Sequence, residues 1–106
     1  MIQQISDWWH GKPHVARSSK WPGLRQAFLQ YHPTCAVCGT SKKLEVHHCE
    51  PVHVNSTREL DTTNLITLCD VHHFWWGHLG NWHSWNVLVR VDSAIWLAKI
   101  LSRPKK

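Results

Sequence analysis

The sequence contains no apolar run long enough to cross a bilayer, and its opening, Met1 to Asp7, is too polar to read as a secretory leader. A soluble, cytoplasmic protein with no membrane partner is expected. Internal repeats and low-complexity tracts are lacking, which excludes solenoids and compositional arrays. No linker divides the 106 residues, so one domain over residues 1–106 is expected. Acidic residues are scarce: seven Asp plus Glu face twelve Lys plus Arg, a formal charge of +5. That balance suits a polyanionic partner, although excess positive charge also serves solubility. Disulfides are not expected in a cytoplasmic chain whose four cysteines include two at Cys-x-x-Cys beside Gly39.

What the chain has in excess is histidine, ten residues, and tryptophan, eight. Residues Ile2 to Ser19 show no sustained period and read as a loosely ordered arm with at most one helical turn. From Pro22 the apolar residues Leu24, Ala27, Phe28 and Tyr31 recur at helical spacing, and Pro33 stops the run. Leu44 to His48 and Asn64 to Leu68 read as short strands able to pair as a hairpin, separated by an aperiodic loop, Cys49 to Thr63. Asp70 is placed to cap a helix through His72, His73 and Trp76 that breaks near Gly77 to Gly80. A last helix is signalled by Asp92 as cap and by Ala94, Leu97, Ala98 and Leu101, with Pro104 ending it.

Two clusters carry chemistry. Cys35, Cys38, Cys69 and His72 form two short Cys-x-x-(Cys/His) knuckles, and zinc prefers four such sulfur and nitrogen ligands in a tetrahedron. Four buried thiols would have no reason to recur twice at that spacing. Interleaved with them are His47, His48, Asn64, His73 and His78. Adjacent strand residues point to opposite faces, so one of His47 and His48 can bind metal while the other faces a substrate.

The segments LEVHHCEP and NLITLCDVHH resemble the HNH nuclease motif, and the resemblance covers Cys35 to His78, a little under half the chain. It implies an α+β fold: a small zinc-stapled ββα-metal core of treble-clef, His-Me finger type over residues 35–80, flanked by N- and C-terminal helices. It implies a structural Zn²⁺ on Cys35, Cys38, Cys69 and His72, where the family usually has Cys at the last position, so that His72 or its neighbour His73 closes the set. It also implies a catalytic divalent cation (Mg²⁺, Mn²⁺, Ni²⁺ or Zn²⁺) on His47 and His73, His48 as the general base, and Asn64 either fixing the loop that carries the base or touching the ion. His78 is a further candidate ligand, but it lies five residues after His73, where an ideal helix would point it elsewhere. The implied activity is metal-dependent hydrolysis of DNA phosphodiester bonds, by nicking or double-strand cleavage, and a short chain of this kind is most similar to phage-type HNH nucleases.

The remaining residues divide between structural and functional readings. Cys49 reads as a buried small hydrophobe. His10, His14, His32, His53 and His83 default to surface or core roles, with His53 able to approach the active-site loop. Trp75, Trp76, Trp82, Trp85 and Trp96 are expected to build a core around the zinc element, with base stacking the alternative, foremost for Trp8 and Trp9. Lys12, Arg17, Lys20, Arg25, Lys42, Lys43 and Arg58 are candidate phosphate contacts. Two rival readings stand beside the nuclease: a non-catalytic zinc module that binds nucleic acid or protein, and a subunit acting only with a larger partner such as a phage packaging motor.

Overall fold

A computed structural model describes residues 16–103. Pro22 preorganises the first turn of α1 (Trp21–Tyr31), whose last amide bonds pass to the His32 N–H, which donates to the Phe28 carbonyl, before Pro33 stops it. α1 lies against β1 (Leu44–His48), which pairs antiparallel with β2 (Leu65–Cys69) in the register Leu44 to Cys69 and His48 to Leu65. After β2 come a three-residue helical turn, α2 (Asp70–His72), a π turn (His73–Gly77) and a C-terminal helix, α3 (Val89–Leu101). Among the described residues the result is an α+β fold with one two-stranded antiparallel sheet. Of the expected arm, Met1 to Val15, with Trp8 and Trp9, lies outside the described residues. Its described end is tied down at Ser18, whose N–H donates to both carboxylate oxygens of Glu59 at 3.2 and 3.0 Å.

The knuckle forms because Gly39 adopts φ +78°, where a side chain is disfavoured, so that its N–H reaches the Cys35 carbonyl at 2.8 Å. The Ala36 N–H then donates to Thr67 O at 2.9 Å and ties the knuckle to β2. Every residue of β2 is buried. The core beneath it is small: Val37, Ile66, Leu68 and Val89 with Cys35 and Cys69. Each fully buried aliphatic side chain there stabilises by about 1.5–3 kcal/mol, so a core of this size leaves room for a metal staple.

Four expectations are corrected. β2 begins at Leu65, because Asn64 closes a 3₁₀ turn (Thr62–Asn64) capped by the Asp61 carboxylate. Cys69 holds the N-cap position of α2, and Asp70 is its first helical residue, where its charge still favours the helix start. α3 begins at Val89 rather than after Asp92; Asp92 lies in its first turn, accepting from Asn86 Nδ2 at 2.7 Å. Three of the five tryptophans expected in the core, Trp75, Trp76 and Trp96, do not fill it. Trp75 and Trp96 are exposed, and Trp76 only abuts the buried cluster, because aliphatic side chains on β2 and the knuckle already occupy that space.

Candidate functional site

The two knuckles converge as their spacing requires. Cys35, Cys38, Cys69 and His72 place their ligand atoms all within 4.8 Å of one another. His72 Nδ1 lies 3.2 Å from Cys69 Sγ and 3.7 Å from Cys35 Sγ, close to the edge of about 3.5–3.8 Å that a tetrahedron of zinc–sulfur and zinc–nitrogen bonds requires. Burial alone would raise the Cys35 thiol, but backbone hydrogen bonds at Cys69, Cys38 and Val37 more than offset it and leave the pKa below the ordinary value. Cys69 is pushed up to about 11, by burial first and by the charge of Cys35 beside it. Clustered thiols of this kind resist ionising together, which a cation among them would relieve. The donor set fits a metal, and His72, not His73, closes it.

The second cluster is made by β1 and the π turn. Glu45 and His47, two residues apart on β1, share a face. His47 is buried, and neither of its ring nitrogens has a hydrogen-bond partner among the described residues. A buried unsatisfied polar atom costs about 1–3 kcal/mol, so this ring marks a place where a ligand belongs. Its pKa is lowered to about 2, by burial first and then by His73, His78 and His48 around it, which keeps both lone-pair chemistry and neutrality available. His73 and His78 complete a group whose ligand atoms also lie within 4.8 Å of one another.

His73 and His78 are oriented from behind. His73 Nδ1 meets Glu45 Oε1 at 2.5 Å, and His78 Nδ1 donates to the Ser84 carbonyl at 2.7 Å. Each contact engages Nδ1 and orients the ring from that side, as the second nitrogen does in metal-binding histidines. Trp82 backs both rings, at 5.3 Å from His73 and 4.9 Å from His78.

His78 reaches the cluster because the chain from His73 to Gly77 is not an α-helix. Five residues on, an α-helical side chain is about 140° around the axis. Here the His78 N–H donates to the His73 carbonyl at 3.1 Å, the i to i+5 bond of a π turn, and the wider turn brings the two rings to 4.9 Å. The α-helical expectation for this segment is therefore wrong at this point. Gly77 is part of the same device: a Cβ there would lie 3.0 Å from both Nδ1 and Cε1 of His47.

His48 points to the other side of β1. Its ring is buried against Trp21, 4.5 Å between centroids, and Nε2 lies 2.9 Å from the Glu59 carbonyl. A carbonyl only accepts, so Nε2 carries the proton and the lone pair of the neutral ring sits on Nδ1. Burial holds the His48 pKa below the ordinary imidazole value, with the Glu59 carbonyl opposing. Both histidines of the pair nevertheless line one cleft of about 170 Å³, together with His73, His78, His53 and Arg17.

Asn64 is brought to the site's support rather than to the cleft. Its Oδ1 accepts from Glu50 N at 2.8 Å, and Nδ2 donates to the carbonyls of Glu50 at 3.0 Å and Arg58 at 3.4 Å, stapling the loop that follows His48. Of the candidate phosphate contacts, Arg17 lines the cleft, Arg58 is engaged with Asp61 and Glu50, and Lys12 lies outside the described residues. Cys49 is half-buried with its thiol pKa raised by burial, in keeping with a small hydrophobe. Glu45, Glu59 and Arg90 went unread from sequence, and Gly77 was read only as a break in the helix. Arg90 donates to the carbonyls of Thr63 and Leu65 and anchors the head of β2; the period-two relation to His47 was the one available signal, for Glu45.

Compared with protein-family models, with curated proteins and with solved structures, the chain matches none. What it does is therefore argued from the site's own chemistry.

Proposed function

We propose that the chain is a metal-dependent endonuclease of HNH type, hydrolysing DNA phosphodiester bonds on a zinc-stapled ββα-metal (treble-clef) core. The observation that carries this reading is the juxtaposition in one cleft of a three-histidine ligand group, His47, His73 and His78, with a fourth histidine, His48, whose neutral ring keeps its lone pair on Nδ1. Cys35, Cys38, Cys69 and His72 would hold the structural zinc. His47, His73 and His78 would hold a divalent cation, which supplies positive charge for the scissile phosphate and the leaving oxygen.

The chain's own residues divide the remaining work. His48 accepts the proton of the attacking water at Nδ1, while the Glu59 carbonyl holds Nε2–H and fixes the ring plane. Asn64 keeps the loop after His48 in register. Arg17, at the rim of the cleft, meets a phosphate oxygen and neutralises charge as it builds. Glu45 and Ser84 keep His73 and His78 in the tautomer that ligates.

The test is supercoiled plasmid incubated with the purified protein and each of Mg²⁺, Mn²⁺, Ni²⁺ and Zn²⁺, with chelator as control. Ion-dependent conversion to nicked or linear DNA is expected. DNA binding with no cleavage under any ion would assign the chain instead to the non-catalytic zinc modules.

A further inference from the structure

α3 is apolar nearly all round, a pattern that belongs to a helix covered on more than one side. Within one chain only Val89 and Ser93 of α3 are buried. On the opposite side Val91 is 53% exposed and Ile95 51%, and Ala94 and Ala98 are exposed beside them. Within α3 this open stripe is Val91, Ile95 and Ala98, spaced by four and three residues, with Leu88 at the N-cap and Ser102 at the C-cap continuing the spacing. The stripe is continuous with a groove between α3 and the π turn, lined by Trp75, Trp76, Leu79, Ile95 and Trp96.

We infer that this face is closed by a second copy of the chain, with the two α3 helices packed antiparallel about a two-fold axis between Trp96 and Leu97. The flanking charges select the occupant and the direction. Asp92 and Lys99 occupy equivalent flanking positions one heptad apart. In the antiparallel pair each Asp92, one carboxylate oxygen of which already accepts from Asn86 of its own chain, lies beside the partner's Lys99, and the two-fold axis makes that complement twice. In a parallel pair the same charges would flank Val87 and Ala94 and find no opposite sign. Lys99 is at the surface, with Nζ 5.4 Å from its own Trp96 ring. The axis also sets Ile95 against the partner's Ala98, and two alanines per helix allow the backbones to approach closely.

A helix of 13 residues offers a small interface, so a weak dimer that depends on concentration is expected. Sedimentation velocity of the zinc-loaded full chain over a dilution series tests this. The wild type is expected to shift from dimer to monomer on dilution. Ile95→Lys, at an exposed position, should be monomeric throughout with its zinc content and circular dichroism unchanged. Lys99→Glu, which sets like charges together, should weaken association at least tenfold. A wild type monomeric at every concentration, or an Ile95→Lys protein that associates like the wild type, would overturn the pairing. Association lost in Ile95→Lys but indifferent to Lys99→Glu would overturn its antiparallel sense.

Discussion

His47 and His48 are neighbours in sequence with opposite surroundings, and in the proposed mechanism that difference separates a ligand from a base. His48 has one nitrogen committed to the Glu59 carbonyl. His47 has neither committed, and is surrounded by His73, His78 and the backbone of Gly77. Its depressed pKa makes a stability statement. The unfolded chain takes up a proton on this ring near pH 6.5, whereas the folded chain does so only near 2, so the unfolded state binds more protons between those values. Stability from this group is full above about pH 6.5 and declines as pH falls below it. In urea titrations of zinc-loaded protein without added divalent ion, the wild-type midpoint should fall more steeply between about pH 7 and about pH 5 than that of His47→Leu. Equal slopes would mean that His47 is not held neutral by its burial.

Among the elements, the π turn is the one the site depends on most. It accounts for two features at once: His78 rejoins His73 after five residues, and Gly77 passes close enough to His47 to form one wall of its pocket. Gly77→Ala should therefore keep the fold and the zinc while lowering affinity for the divalent ion at least tenfold, read by calorimetric titration with Mn²⁺. Unchanged affinity would show that His47 does not need the space. α1, β1 and both knuckles were legible in the sequence, because Pro22, the alternation through Leu44 to His48 and the Cys-x-x-Cys spacing are local signals. The π turn was not, since nothing in the run HisPheTrpTrpGly distinguishes an i to i+5 bond from an i to i+4 one. The start of α3 was missed for a related reason: Asp92 is a good cap by type, but its carboxylate is taken by Asn86, six residues back.

At the scale of the molecule the controlling fact is how little apolar mass the described residues place under β2. Tryptophan was expected to build a small core around the zinc element, yet Trp75 and Trp96 face outward, and the buried cluster is a handful of aliphatic residues and two cysteines. Folding should then lean on the metal knuckles. Binding of a structural zinc is worth about 10 kcal/mol or more of apparent folding free energy in small domains, so Cys38→Ala should unfold the chain, seen as loss of helical circular dichroism together with loss of zinc. A folded Cys38→Ala protein would place the stability elsewhere. The proposed base is separate from the knuckles: His48→Ala removes the ring's packing on Trp21 and its bond to the Glu59 carbonyl but no member of the Cys35, Cys38, Cys69 and His72 group. That separation of folding from chemistry makes the central claim measurable: the plasmid-cleavage rate of His48→Ala against wild type, at matched zinc content, DNA affinity and divalent ion. A loss of at least about a hundredfold with folding intact is the expected result for a general base, and undiminished cleavage by His48→Ala would contradict it.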